Sequence, residues 1–453
     1  MPDNEPQPLH QQLLKELTDL IHHGTISQVR EKLQPLHPAE IAHLLESLPQ
    51  DLRESVLDLI NPAIEGEILV HLQDEIRAHL ISEMDESKLV EVAQTLDNDD
   101  LVDILADFPD EVIPQVLDTM DEQRRQRVET AMAYPEETAG GLMNTDTITV
   151  RADISLDVVL RYLRRLGAIP ESTDSLFVVD RDGAYIGAIR LTQLLISDPD
   201  QKVADLLFKE MEAIPALTSA KEVAAIFQRR DLISAPVVDS AGKLLGRITI
   251  DDVVDWIRED ADHSLMSMAG LSEEDDMFAP VITSSRRRTI WLGVNLLTAL
   301  LASWVIGNFE GTIQKLVALA VLMPIVASMG GIAGSQTLTI VIRGIALGKI
   351  SGSNALRLLS KEVMVGVLNG GIWALIIAAI AVLWFQNTEL GAIIGAAMLI
   401  NLIAAAIAGA TIPIILHKLD IDPALAGGVV LTTVTDVTGF LAFLGLATLF
   451  LVK

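Results

Sequence analysis

Charge vanishes from long tracts of the C-terminal third. Residues 289–309, 316–342, 363–385, 390–416 and Ala424–Val452 are apolar and carry no Asp, Glu, Lys or Arg except Asp436. Each tract is long enough for a helix to cross a hydrocarbon layer of roughly 30 Å, so the pattern predicts five membrane spans. Asp436 stands near the middle of the last, twelve residues after Ala424 and sixteen before Val452. A carboxylate at that depth costs about 2.5–3.5 kcal/mol even on lenient insertion scales. Such a group faces protein or water, on an ion or proton pathway or in a hydrogen bond between helices.

Upstream, the pattern is of short amphipathic segments that repeat. Residues 38–58 match 98–118 at an offset of 60, pairing Ile41 with Leu101, Leu44 with Ile104, Leu45 with Leu105, Pro49 with Pro109 and Val56 with Val116. A weaker copy begins near Met84. Apolar residues at helical spacing, broken by Leu-Pro and Phe-Pro, predict stacked short helices, an α-superhelix over about 9–134. Asp99 and Asp103 replace Ala39 and His43 of the first copy, so packing of the repeat asks for no acid there. A second repeat joins 178–195 to 237–254 at an offset of 59, each copy reading as strand, Asp-x-x-Gly turn, strand and helix start. This repeat resembles the paired cystathionine-β-synthase-type (CBS) domain. Its second copy carries Thr249 and Asp252, the Thr-x-x-Asp arrangement that holds an adenosine ribose in some such domains, with ATP the candidate nucleotide; the first copy, with Thr192, loses that acid.

Charge fixes the expected orientation. Arg286, Arg287 and Arg288 precede the first span, Arg343, Lys349, Arg357 and Lys361 join the second to the third, and Lys418 follows the fourth. By the positive-inside rule the N-terminal part is cytoplasmic and the C-terminus external, in the cell (inner) membrane. Residues 1–30 are polar, so no signal peptide is expected. The absence of cysteine fits a reducing compartment and excludes thiolate metal sites. Residues 284–453 hold 10 Lys+Arg against 6 Asp+Glu, or +4, which leaves 23 against 56, or −33, in residues 1–283. So acidic a region repels itself unless cations bridge it, and oxygen ligands suit hard ions such as Mg²⁺ or Ca²⁺.

The expected fold is a multidomain membrane protein. It comprises a cytoplasmic α-superhelix (1–134), an α+β CBS domain pair (135–257, copies about 138–197 and 203–257), a connecting helix (258–285) and a five-helix transmembrane domain (286–453). That order, over nearly the whole chain, resembles the MgtE family of magnesium transporters and channels. The resemblance is most specific in EETAGGLM (136–143), IDDVVDWI (250–257), PIVASMGGIAGSQTLTIVIRG (324–344) and DPALAGGVVLTTVTDVTG (422–439). It implies a homodimer whose fifth spans line a pore, with Asp436 binding the permeating Mg²⁺, and regulatory Mg²⁺ between the cytoplasmic parts that shuts the pore. The sensor positions it implies are Asp99, Asp103, Asp231, Asp252, Asp255 and Asp422, with Glu259 and Asp260 on the connecting helix. Thr432, one turn before Asp436, and Glu310, in the first external loop, are further candidates for the ion's path.

Ile332 stands where the family's second-span motif reads Asn, Gly428 where some members carry Asn, and His263 where an acid is expected. These departures keep two alternatives open: a CBS-regulated transporter of Co²⁺ or another divalent cation, and a membrane-anchored nucleotide or ion sensor without transport. No P-loop, Gly-x-Ser-x-Gly or His-Glu-x-x-His occurs, so neither an enzyme nor a nucleic-acid partner is expected.

Overall fold

A computed structural model describes residues 15–451 apart from 18, 22–24, 171, 273–275, 351–353 and 420. They form two compact units, Met1–Ala261 with Glu274–Ala279, and Asp262–Glu273 with Pro280–Lys453.

The first unit begins with α1 (Ile26–Leu33), α2 (Pro38–Glu46), α3 (Gln50–Leu57), α4 (Pro62–Val70), α5 (Asp74–Ser82), α6 (Glu86–Thr95), α7 (Asn98–Leu105), α8 (Ile113–Asp118) and α9 (Glu122–Met132). Helix starts follow local chemistry. Pro38 and Pro62 occupy the first turn, where a missing N–H costs nothing, and His37 and Asn61 accept the backbone N–H groups of Ala39 and Ala63. The 60-residue repeat is visible in burial: Ile41, Leu44 and Leu45 on α2 and Leu101, Ile104 and Leu105 on α7 all lie in one core.

One ion pair closes this unit on itself. Arg53 on α3 is 1% exposed, and its guanidinium donates to both carboxylate oxygens of Asp276 at 2.6 and 2.8 Å and to the Leu45 carbonyl at 2.9 Å. The Asp276 N–H in turn donates to Glu75 at 2.8 Å. Burial alone raises the Asp276 carboxyl, but the Arg53 hydrogen bonds, the Phe278 N–H and the Arg53 charge hold it below the usual carboxylate range.

Two matching three-stranded sheets follow, β1 (Thr149–Arg151), β2 (Ser175–Val179) and β3 (Tyr185–Arg190), then β4 (Ile214–Pro215), β5 (Ser234–Val238) and β6 (Leu244–Thr249). In each, the first strand pairs parallel with the second and the second antiparallel with the third, and the register slips at Val178/Val179 and again 59 residues on at Val237/Val238. The turns repeat too. Asp180 accepts the N–H of Asp182 and Ala184, Asp239 those of Ala241 and Lys243, and Gly183 and Gly242 take φ of +85° and +81°, which L side chains rarely adopt. The strand ends align Thr249 with Arg190, so the first copy lacks the threonine as well as the acid; Thr192 lies on the helix beyond. Helices α10 (Leu156–Leu166), α11 (Leu191–Ile196) and α12 (Ala220–Arg230) complete the pair.

α13 (Ile250–Ser267) is shorter than the helix expected over 258–285. Gly270 turns left-handed at φ +71° and the Leu271 N–H returns to the Met266 carbonyl, a helix stop that the chain leaves only to start again at Val281.

The second unit holds the five long apolar helices: α14 (Val281–Gly307), α16 (Ala318–Ala346), α17 (Ala355–Phe385), α18 (Thr388–Lys418) and α19 (Pro423–Phe450), with the short α15 (Glu310–Lys315) after the first. At about 1.5 Å per residue each exceeds the hydrocarbon thickness. α17 and α18 approach through small residues: a Cβ on Gly366 would overlap Ala406, one on Gly370 would overlap Leu399, and one on Gly391 would overlap Val382. Gln386, left-handed at φ +51°, and Asn387, which accepts the Leu390 N–H at 3.0 Å, form the turn between them.

Truncating Arg53 leaves a buried unpaired carboxylate, so Arg53→Ala is expected to cost about 3–5 kcal/mol of the first unit's stability. Replacing both partners by apolar residues, Arg53→Met with Asp276→Leu, is expected to be near neutral. Urea unfolding of the two variants beside wild type measures both; an Arg53→Ala within error of wild type contradicts the account.

Candidate functional site

Two places gather the polar residues singled out in the sequence, one in each unit. In the helical unit, Asp436 and Thr432 on α19 open into a cleft of 860 Å³ whose other wall is one face of α16. Asp422 caps α19, accepting the N–H groups of Ala424 and Leu425, with Pro423 in the first turn. Thr432 and Asp436 are four residues apart and so share a face. The Thr432 hydroxyl donates to the Gly428 carbonyl at 2.9 Å, which leaves its oxygen free to accept a hydrogen bond from water in the cleft.

The α16 wall carries polar groups that the sequence did not single out: Ser328, Ser335, Gln336 and Thr339, spaced along one helical face. All four are exposed. An uncompensated polar stripe facing lipid is costly, so this face and Asp436 belong to water or to protein. Ile332 interrupts the stripe and is 55% exposed. Gly428 has open space beyond its Cα, so the asparagine missing there leaves room and no substitute. Glu310 does not join this cleft; it is exposed on α15 and accepts from Gln314 at 3.0 Å.

Asp422 does have a titratable neighbour. His263 Nε2 lies 3.6 Å from its Oδ2. A ring that carries charge only when protonated thus stands where an acid was expected.

The acidic cluster of the first unit forms where α7 meets the sheets. The Asn144 amide donates to Asp99 at 2.7 Å, the Asn98 amide to Asp146 at 2.9 Å, and Arg127 pairs with Asp146 at 2.5 Å. Around this seam Asp99, Asp103 and Asp252 come within electrostatic reach of one another, and Asp100, which the sequence reading passed over, joins them. Desolvation first, then repulsion by Asp99, Asp100 and Asp252, pushes the Asp103 carboxyl up to about 8, although one side of it is open to solvent. Asp100 rises to about 7 by desolvation and the charges of Asp99 and Asp97. Asp252 also rises to about 7, chiefly by desolvation and despite the hydrogen bond it accepts from Thr249 at 2.7 Å. That bond ties together the two residues expected at a ribose. The buried Arg247 is the fixed countercharge, facing Asp99, Asp251, Asp252 and Asp174.

The other expected sensor residues stand apart from this group. Glu259 on α13 is raised by desolvation and by Asp74 and Asp255, with Arg77 opposing. Arg77 itself pairs with Asp107 at 2.5 Å and Asp74 at 2.9 Å. Asp231 ends α12 in a left-handed conformation with its side chain exposed, and Asp260 has no ion pair among the described residues. Among the described residues no three His, Asp or Glu side chains lie close enough to ligate one metal ion directly.

Three family models match, over four stretches: the MgtE intracellular N domain at residues 36–137, CBS domains at 139–198 and 203–259, and MgtE, a divalent cation transporter, at 323–446. The magnesium transporter MgtE of Thermus thermophilus is 30% identical over 448 residues, 98% of this chain and 99% of that protein. That of Bacillus subtilis is 28% identical over 442 residues, 98% of each. Among solved structures, the cytosolic domain of the Mg²⁺ channel MgtE in complex with ATP has 32% identity and a TM-score of 0.49, over 54% of this chain and 99% of that one.

The raised carboxyls give a sign for pH. A folded-state value above the ordinary one, about 4 for Asp, means the compact arrangement binds more protons than the open chain. Its stability is fully present below about pH 4, declines as pH rises from there, and is lost once pH has passed through about 7 to about 8. In a chelator, protease cleavage between the superhelix and the sheets is expected to accelerate over that window; cleavage independent of pH contradicts the cluster's mutual repulsion.

Proposed function

Since this chain belongs to the MgtE family of divalent cation transporters, we propose that it passes Mg²⁺ across a membrane along the Asp436 cleft and is closed by Mg²⁺ on its acidic unit. The observation that carries this reading is the pairing of a midspan carboxylate with an exposed polar face of α16. Mg²⁺ dehydrates reluctantly, so one carboxylate, a threonine oxygen and serine and glutamine side chains hold it best through its water shell. Two copies related by a two-fold axis would cover the open side of the cleft and place two Asp436 groups about one path, which supports a homodimer. The basic loops support an internal first unit and an external C-terminus.

Closure follows from charge. With −33 in residues 1–283, the first unit pushes itself apart without bound cations, and Asp99, Asp100, Asp103 and Asp252 are where that repulsion concentrates. One site at ten times its dissociation constant contributes about 1.4 kcal/mol, and moving a population from 1:99 to 99:1 needs about 5.5, so roughly four ions suffice. Asp422 and its neighbour His263 fit the inner end of the same path. A nucleotide at Thr249 and Asp252 draws support from the ATP-bound relative. Ile332, which brings an apolar side chain to the cleft wall, favours a broader divalent selectivity that admits Co²⁺.

Asp436→Asn and Asp436→Ala are both expected to cut Mg²⁺ uptake into proteoliposomes about a hundredfold, a loss near 2.8 kcal/mol, while assembly is unchanged. Near-normal flux through the Asn variant would remove the carboxylate from the mechanism.

Regulation has its own test. Asp99→Asn with Asp103→Asn is expected to abolish the slowing of uptake by internal Mg²⁺ and the protection of the first unit from protease by millimolar Mg²⁺. Equal cleavage of wild type with and without the ion argues against the sensor.

A further inference from the structure

We infer that Asn401 is a positioning residue for the ion cleft, holding α16 and α19 at the height where Asp436 meets its polar wall; this rests on the transport reading above. Asn401 lies near the middle of α18, is fully buried, and touches no part of the cleft itself. Its Nδ2 donates to the Val326 carbonyl on α16 at 2.8 Å. The amide orientation follows from chemistry, since the reverse would set two acceptors face to face. Three helices meet at this amide. A Cβ on Gly330 of α16 or on Gly439 of α19 would overlap it, and one on Gly439 would also crowd Val326.

The residues it grips are chain neighbours of those that line the cleft. Val326 precedes Ala327, Gly330 precedes Gly331, and Gly439 follows Asp436 by about one turn. Shifting α16 against Asn401 therefore moves the cleft wall against Asp436. The second observation is a cost. Asn401 Oδ1 has no hydrogen-bond partner among the described residues. A buried acceptor that no protein group satisfies destabilises the bundle, and a leucine of similar shape would remove that penalty and still fill the space. A polar group kept where an apolar one is more stable marks a position set by function.

The experiment compares wild type, Asn401→Leu, Asn401→Ala and Asp436→Asn in two readouts: melting temperature in detergent, and the Mg²⁺ concentration for half-maximal uptake into proteoliposomes. Asn401→Leu is expected to melt no lower than wild type yet need about tenfold more Mg²⁺, the loss of one well-made hydrogen bond in positioning. Asn401→Ala is expected to show the same rise together with a lower melting temperature, because it leaves a cavity. Half-saturation that follows melting temperature, harmed in Ala and normal in Leu, reduces Asn401 to packing and overturns the inference; so does a wild-type value in both. If wild type takes up no Mg²⁺, or Asp436→Asn matches it, the transport reading falls and this one with it.

Discussion

A carboxylate in a hydrocarbon layer must be compensated, and much of the helical unit is arranged around that requirement. Asp436 has no lysine or arginine near it in its span, and it opens into a cleft whose other wall carries the hydroxyl and amide groups of α16. Glycine and alanine at the α17–α18 contact bring backbones close, so this pair forms a firm scaffold. Asn401 belongs to the same scheme, joining the scaffold to both walls of the cleft by one amide.

The acidic unit faces the opposite problem, with charge too plentiful where the helices have too little. It is held by a few cations in fixed places. Arg53 is sunk in the superhelix against Asp276, Arg77 lies between Asp74 and Asp107, and Arg247 is buried beneath Asp99 and Asp252. These guanidiniums stay charged at any relevant pH, so they set a constant background. The acids they leave over, above all Asp100 and Asp103, are the ones whose carboxyls rise to about 7 and about 8. On the proposed reading, a unit balanced in this way would respond to small changes in cation occupancy, because the repulsion is already offset in part and only the remainder would be left to external ions.

Much of this molecule was legible in the sequence because the relevant signals are one-dimensional. Expulsion of charge from a span, a burial period along a helix and a repeat offset are properties of neighbouring residues. The five spans, the 60- and 59-residue repeats and the depth of Asp436 followed from them; so did the shared face of Thr432 and Asp436, four residues apart on one helix. Family resemblance supplied Asp99, Asp103, Asp231, Asp252 and Asp255 as a group; tertiary packing brings Asp99, Asp103 and Asp252 within reach of one another and leaves Asp231 apart from them.

What tertiary structure alone decided are meetings between residues far apart in the chain. Arg53 finds Asp276 across 223 positions, and Asn401 finds Val326 across 75. No local pattern marks either pair, since a lone arginine on a short helix or a lone asparagine in a span has many possible partners. Packing also separated candidates that spacing could not: Glu310 is kept from the cleft, and Asp231 ends a helix with its side chain in solvent. It added Asp100 to the cluster and Ser335 and Gln336 to the cleft. Sequence order sets which face of a helix a residue occupies, while the neighbour that face meets depends on how the helices dock, and docking is settled by the fit of small residues and buried polar groups across the whole unit.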